Sequence, residues 1–499
     1  MKVPQWLVPS LADILFLSLI AWPFFLSSSG WTELMADANS GIHIRTGEFI
    51  LQTHTVPHQD LYSFSKPGAP WFAWEWLTTI LYAQLHSAYG LASLAILSAF
   101  LIWTHPVLLL RNQMAEGASV AIALPLTLVA FRASSIHFLA RPHLFTWLFF
   151  AITVALVNHD RRSRTRWLWA LVPMSALWTN LHGGFLTLPV YAGLTAAGSL
   201  LEAVLTRHAS RWTDFRRYSL LSALTAAATL LNPYGIRVHT HIVQMMQSQW
   251  LTKIVQEFQP PMRFPGERVY LYFAILAIAL VCAAVLVRRG RFVEPLWIAF
   301  FAYASMTSAR HLPLFFLAAT PVCAQVLSEG WRRLAEKGGP KSLAGTLDSI
   351  ARDAEPGFTR MSVWGPAFWL VLLLTPLRAT VPSEFPATQF PAAIVNRHLE
   401  AIATSRIFTH DGWADYLIYR NYPRQRIFVD GRGDFFGPEI GEPYLDMLEA
   451  KPGWKEQFAR WEFSMVLLKP GVALAKALGT DPEWMEIERD AQAVLFRKR

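Results

Sequence analysis

The chain has 499 residues, of which 53% are hydrophobic, 13% aromatic and only 16% charged, with a mean hydropathy of +0.29. That is more apolar surface than a water-soluble chain of this length needs for its core, so the sequence reads as an integral membrane protein. The formal charge of +9 does not point to nucleic acid, because the arginines fall in short clusters between apolar segments, where topology signals belong. Cys282 and Cys323 both lie inside apolar runs, which leaves no readable disulfide framework.

The first apolar run, about 14–26, follows a weakly basic start (Met1, Lys2) and lacks a small-residue cleavage site, so it reads as a retained span and not a removed signal peptide. Further runs lie near 91–110, 118–133, 143–158, 167–179, 184–205, 218–231, 269–287, 293–308, 311–327 and 362–377, several at the short end of the roughly 20 residues a span requires. About 11 transmembrane helices result. With the N-terminus cytoplasmic, this parity puts "DRRSRTR" (160–166), "TRHASRWTDFRR" (206–217), "RRGR" (288–291) and "WRRLAEKGGPK" (331–341) on one side, as the positive-inside rule requires. It holds only if "EWLTTILYAQLHSAYG" (75–90) is an interfacial or partly inserted helix.

This topology makes 1–380 a transmembrane domain with a first outer loop at 28–90 and a cytoplasmic linker at 328–361, and 381–499 an extracytoplasmic domain. Nearly all the chemistry then falls on the outer face. The first loop holds "MADANSGIHIRTGEFI" (35–50) and "HTVPHQDLYSFSKPGAPWFAWEWL", whose prolines and glycine exclude a long helix. The outer junctions "SSIHFLARPHLF" (134–145), "WTNLHGGF" (178–185), "LNPYGIRVH" (231–239) and "TSARHLP" (307–313) repeat an Arg/His/Asn signature.

The outer membrane edge thus collects Asp37, His43, Arg45, Asp60, Glu75, Arg141, His143, Asn180, His182, Asn232, Arg237, Arg310 and His311. Ionisable groups at the edge of the hydrocarbon are costly unless they line a cavity or pair with one another. The bland alternative is that each arginine snorkels to headgroups and each histidine satisfies a helix end. Arginines and histidines facing a few carboxylates suit an anionic ligand, since Arg holds phosphate through paired hydrogen bonds. A lipid-linked phosphosugar fits such a pocket.

"DANSGIHIRTGEFI", "VPHQDLYSFS", "EWL", "ARPHLF", "NLHGGF", "NPYG" and the tail "GWADYLIY…IFVDGRGDFF" together resemble bacterial polytopic proteins of the GT-C glycosyltransferase superfamily. The resemblance implies a multi-pass protein of the bacterial inner membrane. It would use a polyprenyl-phosphate-linked sugar donor, act on an acceptor at the outer leaflet, and have an acidic residue of the first outer loop as general base. On that analogy Asp37 is the catalytic candidate. Many relatives carry an acidic pair one residue apart here, whereas this chain has Asp37, Ala38, Asn39, which weakens two-carboxylate metal binding. In one continuous helix Asp37 and His43 would lie about 120° apart and share no face, and Asp37 could equally be an N-cap. A divalent cation (Mg or Mn) on Asp37 and Asp60 is compatible with oxygen ligands but not demanded by their spacing. "HTVPH" carries a proline that breaks a helical His pair, and no His-Glu-x-x-His pattern occurs.

The tail from about 380 reads as a small soluble α/β domain. "RIFTH" (406–410), "RIFVD" (426–430), "FSMVLLK" (463–469) and "AVLFRKR" are expected strands of a mostly parallel sheet, and 392–403 and 442–450 expected helices. Asp430, Arg432 and Asp434 would group at the ligand edge of that sheet, either binding an acceptor or pinning the loop as an internal network. The competing function is a transporter or lipid flippase, in which the same polar groups form a path through the bundle. The absence of an evident repeat and the clustering of polar residues at one membrane edge favour the transferase.

Overall fold

The computed structural model describes residues 4–27 and 29–499; Met1, Lys2, Val3 and Ser28 lie outside the described residues. Each expected apolar run falls on a helix. Five helices are long and apolar enough to cross a membrane: Ala92–Ala115, Val120–His137, Gly183–Thr206, Glu267–Arg288 and Ala309–Gly338. A sixth span results if Leu343–Thr359 and Trp364–Leu374, bent by 45° at their junction, are taken together. The other runs form Leu11–Leu26, His143–Arg162, Leu171–Leu181, Ala209–Ala228 and Val293–Thr307. Residues 328–361, expected as a linker, are largely helical: Leu312–Gly338 runs on through its first third, and Leu343–Thr359 packs back on it with Asp348 accepting from Trp331 Nε1 at 3.0 Å.

The basic clusters meet at one end of the bundle. Buried Asp160 accepts from Arg217 at 2.8 and 2.9 Å and from the Tyr218 hydroxyl at 2.9 Å, Arg211 pairs with Glu202 and Asp214, Glu202 also accepts the Phe292 amide, and Arg289 reaches Glu329. The polar junctions collect at the other end: helix His143–Arg162 has its first residue there and its last in the basic network, roughly 30 Å apart at 1.5 Å per residue. Between the two ends Phe150, Tyr191, Trp297, Phe301, Phe315 and Phe316 fill the bundle with buried rings, Tyr191 stacking on Trp297 at 4.5 Å.

At the polar end, helix Asn39–Thr53 lies against helix Trp76–Tyr89, a 14-residue segment too short to count among the apolar spans. Their approach depends on Gly47, where a Cβ would meet the backbone oxygen of Thr79 at 1.9 Å. Gly47→Ala must therefore push the helices apart; we expect a loss of about 1–3 kcal/mol, visible as a lower thermal unfolding temperature of the purified protein. An unchanged unfolding temperature would show that the two helices can separate freely.

The C-terminal sheet has the order β1–β2–β4–β3, with β1 Ile407–Thr409, β2 Met465–Leu468, β3 Trp484–Arg489 and β4 Val494–Lys498. Only β1 and β2 are parallel; β2–β4 and β3–β4 are antiparallel, so the expected mostly parallel sheet is corrected. The expected strand 426–430 is also absent from it. Ile427 instead makes a single parallel bridge to Ser63 of the first loop, its amide donating to Tyr62 O and its carbonyl accepting from the Phe64 amide, both at 2.9 Å. The first loop and the tail thus share a core, with Tyr62 against Tyr422 and Phe64 against Phe428 and Phe463.

Candidate active site

A chamber of about 320 Å3 opens at the polar end, walled by the first loop, the outer junctions and the 431–434 turn of the C-terminal domain. Of the residues singled out from sequence, His43, Glu75, Arg141, His143, His182, Arg310, His311, Arg432 and Asp434 line it.

The others lie off its wall. Arg45 donates from Nε to the Tyr419 carbonyl at 2.8 Å and pairs with Glu48 at 2.6 Å, tying its helix to the tail. Asn180 accepts from Trp76 Nε1 at 2.6 Å and donates to Leu231 O at 2.8 Å, bracing two junctions. Asn232 closes its own turn, accepting the Tyr234 amide at 2.8 Å. Arg237 opens the short helix Arg237–Gln247. Asp60 and Asp430 are buried on either side of Arg432, whose Nη2 donates to them at 2.7 and 2.6 Å.

Asp37 stands just ahead of its helix, which begins at Asn39 after an N-cap at Ala38, so the 120° offset of a continuous helix does not arise. One carboxylate oxygen accepts the Asn39 amide at 2.8 Å and the other pairs with Arg141, which itself lines the chamber. Sequence reasoning missed His137 and Glu257, which belong to the same group: Glu257 lies 3.5 Å from His137 Nε2 and 3.6 Å from Arg141 Nη1. Burial opposes the charge on Glu257, yet His137, Arg141, Arg310 and His182 together hold its carboxyl at about 2. Glu257 lies in the segment between the apolar runs ending at 231 and beginning at 269, which also holds Arg237, Lys253, Arg263, Glu267 and Arg268, so its charge alone does not single it out.

Charge bookkeeping around the chamber separates its arginines. Arg141 is matched by Asp37 and Glu257, and Arg432 by Asp60 and Asp430. Among the described residues no carboxylate lies within ion-pair distance of Arg310, which acts on Glu257 and Glu75 only from farther off; its guanidinium lies over the Phe258 ring at 4.6 Å.

Glu75 is placed differently. Its carboxyl lies between two imidazoles, His43 Nε2 at 3.3 Å and His182 Nε2 at 3.5 Å. His182 Nδ1 accepts the Gly184 amide at 3.0 Å, and the Thr146 hydroxyl, itself accepting from Trp178 Nε1, lies 2.7 Å from the same nitrogen. A nitrogen that accepts an amide N–H carries no proton, so the neutral ring's proton is on Nε2, facing Glu75. The turn needs Gly184, where a Cβ would meet Thr146 Oγ1 at 2.5 Å. Burial raises the Glu75 carboxyl to about 8 against Arg310 and Arg141, and lowers His43 and His182 to about 3. Burial thus pushes all three groups toward their uncharged forms, and these close contacts are not salt bridges.

Part of the lining is apolar: Ile242, Met245, Met246, Leu251 and Val255. Met246 both lines the chamber and is 67% exposed, so this flank reaches the protein surface. Trp74 and Phe72 face His241, which pairs with Asp434 at 3.1 Å and helps seat the tail over the chamber. Among the described residues no group of three or more His, Cys, Asp or Glu is placed to hold a metal ion; Asp37 and Asp60, the carboxylates considered for one, are each engaged by an arginine instead.

No family model and no curated protein matches the sequence. The structure is similar to that of ArnT from Cupriavidus metallidurans in the apo state, at 13% identity and a TM-score of 0.51 over 97% of both chains. It is also similar to the Archaeoglobus fulgidus oligosaccharyltransferase in the apo form, at 12% identity and 0.51 over 91% of this chain and 69% of that one. A third likeness is to the A. fulgidus oligosaccharyltransferase AglB in complex with an inhibitory peptide and a dolichol-phosphate, at 12% identity and 0.50 over 92% and 69%. At 12–13% identity these likenesses show a shared fold.

Proposed function

We propose that the protein is a membrane glycosyltransferase that moves a sugar from a polyprenyl-phosphate-linked donor to an acceptor on the outer face of the bacterial inner membrane. In this reading the eleven apolar helices all cross, the N-terminus is cytoplasmic and the tail is extracytoplasmic. The observation that carries it is Arg310: among the described residues an arginine with no carboxylate within ion-pair distance, in a chamber whose apolar flank surfaces at Met246. A lipid phosphate supplies the missing anion and its chain follows the apolar flank. The chamber volume is at the low end of the roughly 300–1,000 Å3 of small-molecule sites, which suits one sugar phosphate better than an oligosaccharide.

Asp37 takes the proton of the acceptor hydroxyl or amide, and Arg141, with His137 and His143 behind it, steadies that carboxylate and the developing charge on the phosphate. The dolichol-phosphate bound by AglB supports a donor of this class. The aromatic layer between the two ends of the bundle weighs against a polar path for a transporter or flippase.

The test is binding of decaprenyl phosphate to the purified protein. Arg310→Gln should raise Kd by roughly ten- to a hundredfold, the worth of a hydrogen bond to a charged group. An unchanged Kd, or no binding by wild type, would overturn the donor assignment.

A further inference from the structure

We propose that Glu75 serves the chamber as a neutral acid, donating first a hydrogen bond and then its proton to the phosphate oxygen that leaves the sugar. This rests on the transferase reading above. Three observations on geometry support it. Glu75 lines the chamber, its two carboxyl oxygens face one imidazole each, and no arginine or lysine lies within ion-pair distance of it among the described residues. His182 is held by Gly184 and Thr146 in the tautomer whose Nε2–H faces the chamber side of the ring, 3.5 Å from Glu75, so this imidazole nitrogen cannot take the Glu75 proton.

A carboxylate here would repel the donor phosphate held at Arg310; a carboxylic acid attracts it. Its surroundings keep it in the acid form. Burial dominates, Asp434 and Glu257 add to it, Arg310 and Arg141 oppose it, and His43, His182 and Tyr82 are uncharged. The result is a pair of carboxyl groups with opposite duties: Asp37 bound to a guanidinium as the base, Glu75 between imidazoles as the acid.

In the transfer step the sugar C1–O(phosphate) bond breaks with its electron pair passing to that oxygen, which takes the Glu75 proton. The acceptor oxygen bonds to C1 and gives its own proton to Asp37. The products are the glycosylated acceptor and the protonated lipid phosphate, and a proton returned to Glu75 from Asp37 or water resets the site.

The test uses decaprenyl phosphate as probe and measures Kd from pH 6 to 9.5 for wild type and Glu75→Gln. The ratio of the two at each pH cancels the titration of the phosphate itself. Near pH 6.5 the ratio should be close to one. Above pH 9, where Glu75 is ionised and Gln is not, wild type should bind at least fivefold more weakly than the variant. A ratio that does not change with pH sinks the inference and leaves the donor assignment standing. Failure of wild type to bind at pH 6.5, or no effect of Arg310→Gln, sinks the donor assignment and this inference with it. Wild type alone gives a second readout. A lipophilic carbodiimide, which reacts with protonated carboxyls in apolar surroundings, should label Glu75 at pH 6.5, less above pH 8.5, and less again with decaprenyl phosphate bound. No labelling of Glu75 at pH 6.5 would overturn the neutral-acid role whatever the variant does.

Discussion

Asp37→Asn should slow sugar transfer from a labelled polyprenyl-phosphate sugar by about two to four orders of magnitude, the range that a positioned general base contributes, while leaving the Kd for decaprenyl phosphate within threefold of wild type. The change is close to isosteric. The amide oxygen of Asn can still accept the Asn39 N–H, and Arg141 keeps Glu257 as a counter-charge. What disappears is the acceptor for a proton. A variant that merely loosened the loop would weaken donor binding and lower thermal stability together, so the separation of the two readouts is the diagnostic part. Equal turnover by Asp37→Asn and wild type would leave Asp37 as a structural partner of Arg141 and nothing more.

The second large effect is on the assembly of the site. Arg432→Met should cost about 3–5 kcal/mol, because it strands two buried carboxylates that have no other cation within ion-pair distance among the described residues. Arg432 is only 7% exposed, donates to Asp430 and Asp60 through Nε and Nη2, and lies within reach of the Tyr62, Trp71, Phe435 and Phe436 rings. Asp60 belongs to the first loop and Asp430 to the tail, so the same loss should undock the two. Limited proteolysis should then cut the connection near 376–391 faster than in wild type. The triple change Arg432→Met, Asp430→Asn, Asp60→Asn removes the stranded charges and should recover much of the stability. Equal stability of Arg432→Met and wild type would show that the network does not hold the domains together.

The bundle was legible in the sequence because a span must be apolar over its whole length, a signal that needs no partner to be read. The same holds for the exclusion of a long helix over 54–77, dictated by its prolines and glycine, where helix begins only at Trp76, and for β1, β2 and β4, which are short runs led by apolar residues. The run 426–430 looks identical to these, yet Ile427 pairs with Ser63, and nothing local to either segment records that choice. β3, Trp484–Arg489, was missed because only its first residue is buried and its charges face outward on a sheet edge. The polar junctions were legible as a group for an energetic reason: ionisable residues there must be paired or wet. Which of them face the chamber was not. Asn180, Asn232 and Arg45 are of the same types as the lining residues but are satisfied by backbone groups, while Asp37 and Arg141 meet from 104 positions apart. Glu257 carried no motif, and its place by Arg141 is set by tertiary packing alone.

The bridge between Asp60 and Arg432 also sets an order of events during synthesis. The two residues are 372 positions apart, so at about 5–20 residues per second the first loop leaves the ribosome roughly 20 to 75 s before its partner. Throughout that interval Asp60 and the rings of Tyr62, Phe64 and Trp71 have no tail to pack on, and the helices inserted meanwhile surround a half-walled cleft. The last hundred residues therefore act as the closing step of biogenesis. Chains truncated before Arg432 should reach the membrane, but with an acidic, aromatic loop left open to quality-control proteases.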